Sequence, residues 1–121
     1  MSANHVERHG ELRRGFRRLS RVQSEVMAGF TSMHRAAVAD GELPGATKEM
    51  MALAISIVTH CEGCIAFHVH DALRAGASRG QIEETIGVAI MMGGGPAAVY
   101  GATAAEALDQ FVAAGVGSDA V

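Results

Sequence analysis

The chain has 121 residues, a formal net charge of −3, 49% hydrophobic residues, 4% aromatic residues and no Trp. This length fits one domain, residues 1–121, and a supply of Ala, Val, Ile, Leu and Met with few β-forming runs predicts an all-α fold rather than a sheet. A domain this small buries only part of its apolar surface when alone, so we expect a homo-oligomer.

The first predicted element is a helix or a broken pair of helices. Apolar residues recur every three or four positions from Leu12 to Ala37, which is the pattern of one buried helix face. Gly15 and Gly29 are the weak points at which this segment is expected to break. The Asp-Gly pair at 40–41 ends it, and residues 43–45 form the connection to the next helix.

Basic residues are concentrated in this first segment. Residues 1–39 hold seven Arg and three Glu, and five of these arginines are Arg13, Arg14, Arg17, Arg18 and Arg21. No nucleic-acid-binding motif accompanies them, so we interpret them as a solvated helix face or a contact with an acidic surface of a neighbouring subunit. No nucleic-acid partner is expected.

The second predicted helix follows Thr47, a good N-cap, and reads KEMMALAISIV. It is apolar nearly all round, so we expect it in the centre of the fold or at an interface. Glu49 is its one acidic residue, and the simplest interpretation is a carboxylate that complements the positive end of the helix dipole.

Two capping boxes delimit the next helices. Thr59 with Glu62 three residues later predicts a helix that carries the cysteines and ends at Gly76. Ser78 with Gln81 predicts the start of another helix. Each pair matches the pattern in which a hydroxyl and a carboxyl or amide side chain satisfy free backbone N–H groups.

Residues 85–105 carry no charge and are long enough to span a bilayer on paper. The triple glycine at 93–95 and Pro96 interrupt them, so we predict a buried helix pair and no membrane insertion, with the last helix ending near Ala114 and a flexible tail over 115–121. The N-terminal segment is polar and Arg-rich, unlike a secretory signal, and a cytoplasmic location is expected.

The chemistry-bearing residues lie in HCEGCIAFHVH, residues 60–70. Cys61, Cys64 and His68 are spaced by three and four positions and so share one helix face. Backbone N–H groups at a helix start favour a thiolate, two cysteines in this spacing can close a disulfide, and a histidine one turn later can take a proton. This pattern favours a redox dithiol, which needs no cofactor and no metal.

Two other interpretations of these cysteines remain open. A structural zinc site usually takes four ligands from two such pairs, and the second pair is absent, although His68 or His70 and Glu49 are possible further ligands. The cysteines can also be inert buried thiols. His60 and His70 lie off the shared face and are interpreted as surface or packing residues.

A family resemblance adds to this interpretation. Glu49, eleven residues, Cys61, two residues, Cys64, three residues and His68 together resemble the E-x11-C-x-x-C-x3-H signature of AhpD-like alkylhydroperoxidases, in the carboxymuconolactone decarboxylase superfamily. The resemblance covers roughly residues 28–112, which leaves 1–27 as an N-terminal helical extension. It implies an AhpD-like helical domain that forms a trimer or a hexamer, with sites near subunit contacts.

The resemblance also implies roles for the four residues. Glu49 would orient or deprotonate His68, His68 would draw the proton from Cys64, and the thiolate would attack a hydroperoxide. Cys61 would then close a disulfide, and a dithiol reductant, either a protein or a lipoyl-type molecule, would reset the pair. The implied activity is that of a peroxiredoxin-type peroxidase or disulfide reductase. Some peroxidase members carry a His between the cysteines, where this chain has Glu62 and Gly63.

Two other functional classes share parts of this pattern. A lyase like carboxymuconolactone decarboxylase shares the fold but uses no dithiol chemistry. Such a lyase needs cationic groups to bind a carboxylated lactone, and the site region offers only histidines. A non-enzymatic oligomer with a metal site is the third possibility.

Overall fold

The computed structural model describes residues 4–117, and in this range the chain forms six helices and no strand. The helices are α1 (His5–Val22), α2 (Ser24–Val38), α3 (Gly45–Val58), α4 (Glu62–Arg74), α5 (Arg79–Gly93) and α6 (Gly95–Ala113). The all-α fold predicted from the composition is confirmed.

The core lies among the last four helices. α3 packs against α4 and α5, and α6 packs against α4 and α5, while α1 lies across α4 and α6. The largest fully buried side chains come from all four core helices and are all apolar: Leu53, Ile57, Ile65, Val69, Ile82, Leu108 and Phe111. α3 is therefore central, as its nearly uniform apolar sequence predicted.

The N-terminal segment is a pair of helices, but its break is not where the glycines predicted. Gly15 and Gly29 lie inside α1 and α2, with no atom within 4 Å of an added Cβ, and the chain leaves helical geometry at Gln23. The break lets α2 fold back along α1, so that the rings of Phe16 and Phe30 meet edge to face at 6.1 Å. A contact between helices, rather than local propensity, decides the position of the turn.

The start of α3 also corrects the sequence prediction. Its N-cap is Pro44, not Thr47, which lies inside the helix. The carboxylate of Asp40 accepts a hydrogen bond of 2.6 Å from the backbone N–H of Gly45 and so satisfies a free donor of the first turn from outside the helix. A preceding acidic residue thus replaces the expected threonine cap.

The boundaries of α5 and α6 agree with prediction. Ser78 and Gln81 form a complete capping box, and Pro96 lies in the first turn of α6 after Gly94, whose φ is +70°. The predicted flexible tail is wrong for residues 115–117, because Val116 packs against the core and its N–H bonds the carbonyl of Phe111 at 3.0 Å. Residues 118–121 of that tail lie outside the described part.

The expectation of a buried helix pair over 85–105 is only half right. One face of α5 and α6 enters the core, but the other face leaves large apolar side chains exposed, together with Ile55 of α3. The exposed side chains on α5 and α6 are Val88, Met91, Met92 and Val99, all more than half accessible. No helix within residues 4–117 combines the length and apolarity needed to cross a membrane.

Two buried histidines attach α1 to the core. Nε2 of His5 lies 2.9 Å from a carboxylate oxygen of Glu106 in α6. His9 stacks on His70 at 4.0 Å and meets the edges of Phe67 and Phe111. Burial lowers the pKa of His9, neighbouring His70 and Arg13 lower it further, and Asp71 opposes them.

This environment predicts that the packing of His9 against the core stabilises the fold less at acidic pH. A folded-state pKa below the unfolded value of about 6.5 means that the unfolded chain binds the proton more tightly. The contribution of His9 to the free energy of unfolding is therefore complete above that pH and is lost as the pH falls toward the folded pKa. The free energy of unfolding, measured with urea at pH 7.5 and at pH 5.5, should decrease less between these two pH values for His9→Phe than for the parent chain. Equal decreases would contradict the assignment.

Candidate active site

The turn from α3 to α4 places both cysteines at the start of α4. Thr59 closes α3, because its N–H and its hydroxyl both bond the carbonyl of Ile55, at 2.9 and 2.8 Å. Its O–H is directed back toward α3, and Thr59 lies two residues before the N-cap of α4, so the predicted capping box of Thr59 and Glu62 is wrong. The N-cap of α4 is Cys61, whose sulfur accepts a 3.2 Å hydrogen bond from the N–H of Cys64.

His60 makes this turn possible. Its φ of +62° is the only positive value at a non-glycine residue between 4 and 117, a conformation that histidine adopts more readily than branched residues. The imidazole lies flat on the ring of Tyr100 in α6, with centroids 4.6 Å apart and an interplanar angle of 8°. The stacking holds the left-handed residue directly before Cys61, in agreement with its predicted role as a packing residue.

Cys61 and Cys64 are joined by a disulfide, with Cα atoms 5.2 Å apart. This separation lies within the ordinary range for a disulfide, so the local backbone accommodates the bond. Both residues are half-buried, and Cys64 lines a pocket next to α4. The three-residue spacing therefore brings the two sulfurs together as its helical geometry predicts.

Glu49 and His68 meet across the α3–α4 contact. A carboxylate oxygen of Glu49 lies 2.8 Å from Nδ1 of His68, and Glu49 is only 5% exposed. Glu49 lies beyond the first turn of α3 and faces its neighbour, so the interpretation as a helix-dipole charge is wrong. With the carboxylate ionised, Nδ1 carries the proton and donates it, which leaves Nε2 of His68 with a free lone pair.

A pocket of about 240 Å³ connects these groups to solvent. Its walls come from α1, α2 and α4 and include three phenylalanines, and its polar groups are a threonine, two histidines, a cysteine and an aspartate. The lining residues are Phe16, Phe30, Thr31, His34, Cys64, Phe67, His68 and Asp71. A thiol beside an imidazole in an apolar, partly enclosed pocket suits chemistry on a small, weakly polar molecule.

Two ionisable residues of this pocket, His34 and Asp71, were not predicted from the sequence. Asp71 lies three positions after His68, so the same helical spacing that joined the cysteines to His68 was sufficient to include it. His34 belongs to α2 and carries no comparable signal, because only the fold of α2 along α1 brings its ring to 6.2 Å from that of His68.

Gly63 lies under α1 and accepts no side chain without movement. A Cβ added there would lie 3.1 Å from a terminal methyl group of Leu12. A side chain at position 63 would therefore require the Leu12 side chain to shift by a few tenths of an ångström. In this chain the second imidazole of the pocket is His34.

Comparison with known proteins identifies the family. The model of the carboxymuconolactone decarboxylase family matches residues 24–107. The chain belongs to that family. The match begins after α1, so the helix that covers Gly63 and brings Phe16 into the pocket precedes the part that the family model matches.

Two relatives of this chain match most of its length. An uncharacterized protein of Cupriavidus necator is 41% identical over 101 residues, which are 84% of this chain and 87% of that protein. An uncharacterized protein of the cox locus of Paracoccus denitrificans is 37% identical over 92 residues, 76% of this chain and 83% of the relative.

A solved structure agrees with the fold. The apo crystal structure of a carboxymuconolactone decarboxylase family protein from Legionella pneumophila superposes with a TM-score of 0.85 at 36% identity, and the match covers 88% of this chain and 96% of that one. The helical fold of the family is therefore shown for this chain, and the expected membership in the superfamily is confirmed.

Proposed function

We propose that this chain is a dithiol oxidoreductase that reduces hydroperoxides, including alkyl hydroperoxides, through the Cys61–Cys64 pair. The observation that carries the proposal is the position of Cys64 in an apolar pocket beside His68, which a buried Glu49 holds at 2.8 Å. A nucleophile, a base and a group that orients the base are the parts of an activated thiol.

The proposed reaction begins from the reduced pair. Nε2 of His68 takes the proton of the Cys64 thiol, and the thiolate attacks one oxygen of the hydroperoxide. The O–O bond breaks, Cys64 becomes a sulfenic acid, and the other oxygen leaves as an alcohol with the proton that His68 returns. The Cys61 thiol then displaces the hydroxyl group from Cys64 as water, which forms the disulfide.

Reduction of that disulfide completes the cycle. An external dithiol, either a protein or a lipoyl-type molecule, attacks one sulfur and is itself oxidised to a disulfide, while Cys61 and Cys64 recover their protons. A reducing cytoplasm maintains such dithiols, so a cytoplasmic location is part of this proposal. In the reverse exchange the reduced Cys61–Cys64 pair reduces another disulfide and is itself oxidised, which is a disulfide reductase activity.

The lyase activity that gives the family its name is less well supported. Among the residues that line the pocket there is no Lys or Arg to bind the carboxylate of a lactone acid. The apolar walls suit a hydroperoxide with an apolar substituent better than an anionic substrate.

We also propose that the chain acts as a homo-oligomer, a trimer or a hexamer, built on the exposed apolar face of α3, α5 and α6. Ile55, Val88 and Met92 lie on this face around a shallow apolar pocket, and exposed apolar patches mark interaction surfaces.

The assembly proposal predicts a mass above that of one chain. Sedimentation at micromolar concentration should give a trimer or hexamer, and Met92→Glu should shift the distribution toward the monomer because it places a charge in an apolar contact. A folded wild-type monomer under these conditions would disprove the proposal.

The contact between Glu49 and His68 predicts the effect of removing the carboxylate. Glu49→Gln should leave the helical content intact but slow the oxidation of the reduced thiols by a hydroperoxide by ~10- to 100-fold, the usual cost of losing a carboxylate that orients a functional imidazole. Stopped-flow measurement of thiol loss gives the rate. Glu84→Gln, on the exposed surface of α5, is the matched control. Equal rates in all three proteins would show that Glu49 has no part in the reaction.

The two cysteines should have different roles. Cys61 receives the helix-start hydrogen bond, but Cys64 lines the pocket and has His68 one turn later. General-base assistance is typically worth ~10²–10⁴-fold, whereas a helix dipole contributes about 1 kcal/mol, so we expect Cys64 to attack the peroxide.

Trapping of the sulfenic acid separates these roles. Peroxide-treated Cys61→Ser should form a sulfenic acid that reacts with a dimedone-type reagent but should not complete turnover, and Cys64→Ser should form none. Mass spectrometry of the labelled peptide identifies the site. Labelling of Cys61 in Cys64→Ser at an undiminished rate would reverse the assignment.

A further inference from the structure

Two residues of the pocket, His34 and Asp71, extend the Glu49–His68 pair into a cluster of four polar side chains. His34 of α2, Glu49 of α3, and His68 and Asp71 of α4 each offer one nitrogen or oxygen atom, and these four atoms all lie within 4.8 Å of one another. We propose that these four residues form a binding site for a divalent transition-metal ion, with Zn²⁺ as the best match.

The chemical nature of the ligands carries this assignment. Two imidazole nitrogens and two carboxylate oxygens suit Zn²⁺, which takes nitrogen ligands and carboxylate oxygens at about 2.0–2.2 Å. Ligands at that distance in a tetrahedron lie ~3.4 Å apart. The four atoms lie within 4.8 Å of one another, so binding an ion draws the outermost atoms together and replaces the hydrogen bond between Glu49 and His68.

The surroundings favour a bound cation. Glu49 is buried, and the other three residues are half-buried against the aromatic rings of Phe16 and Phe30. Two carboxylates in a poorly hydrated pocket attract a divalent cation more strongly than carboxylates in water do. The pocket also leaves room for a water molecule or a small ligand on the ion.

A contact with His70 fixes the carboxylate of Asp71. Nδ1 of His70 lies 2.8 Å from one of its carboxylate oxygens, and His70 in turn stacks on His9. Carboxylates that bind metals are commonly fixed by such second contacts, which orient the ligand and reduce the entropy that binding costs.

The neighbouring group of His9, His70 and Asp71 is a weaker candidate. It has three members rather than four, and its two imidazoles are stacked 24° from parallel at 4.0 Å. The lone pairs of stacked rings run side by side instead of converging on one ion. The rings of His34 and His68 are 6.2 Å apart, which leaves space for an ion between them.

The proposed ligands include no sulfur, so this site is distinct from a zinc site built on the cysteines and does not depend on the proposed redox function. The disulfide removes both sulfurs from metal binding without altering the four ligands. Metal binding should therefore persist in a chain that has no thiols.

The test uses the thiol-free variant Cys61→Ser/Cys64→Ser, freed of metal with a chelator and dialysed. Titration with Zn²⁺ by calorimetry should give one ion per chain. Titration with Co²⁺ should give visible absorption bands of four-coordinate strength without a thiolate-to-metal charge-transfer band. Absence of stoichiometric binding of either ion would overturn the proposal, while peroxide-dependent thiol loss of the metal-free wild-type chain tests the redox function separately.

Matched substitutions in this background locate the ion. His34→Asn and Asp71→Asn should each weaken Zn²⁺ binding by ~10-fold or more, whereas Asp109→Asn, outside the cluster, should match the parent. Circular dichroism verifies that each variant folds. The two variants remove different proposed ligands, so each tests the site separately. Unchanged affinity in both would overturn the proposal, as would loss of binding in His9→Phe with binding retained in His34→Asn, which would move the ion to the neighbouring group.

Discussion

The buried contact between Glu49 and His68 is the interaction on which the site depends. A carboxylate that is 5% exposed is costly to keep in the protein interior unless a partner satisfies it, and His68 is the partner that lies 2.8 Å away. The contact joins α3 to α4, so it constrains the relative position of the two helices. It also fixes the rotation of α4 that brings Cys64 and Asp71, which flank His68 along the helix, to the same pocket.

The turn between α3 and α4 determines where the two cysteines lie at the start of α4. Because the hydroxyl of Thr59 bonds the carbonyl of Ile55, α3 ends before His60. The left-handed backbone at His60 then makes Cys61 the N-cap of α4, two residues after the predicted N-cap Thr59. This register makes one cysteine the N-cap and places the other one turn before His68. A start two residues earlier would move both sulfurs away from the free backbone N–H groups at the helix end, which are the groups that favour a thiolate.

The sequence predicted the parts of this arrangement that depend on local spacing. The helical class, the capping box of Ser78 and the shared face of Cys61, Cys64 and His68 all follow from periods of three and four residues. The two misplaced helix starts have different causes. Thr59 belongs to the end of α3, where its hydroxyl bonds Ile55, and α3 begins before Thr47 because Asp40 supplies the oxygen at Gly45. His34 was out of reach for a different reason, because its place depends on the turn at Gln23 and on packing between α1 and α2.

The proposed relay and the proposed metal site use the same pair of residues in different ways. In the relay, Glu49 accepts a hydrogen bond from Nδ1 of His68, and Nε2 lies on the other side of the ring, away from Glu49. An ion bound by both residues therefore breaks this hydrogen bond, and Cys64 loses the oriented imidazole that serves as its base. The disulfide form needs no base, because its sulfurs carry no protons. Metal binding and thiol reactivity thus compete for the Glu49–His68 pair, and α1 and α2, which bring Phe16, Phe30 and His34 to the pocket, set the environment of both.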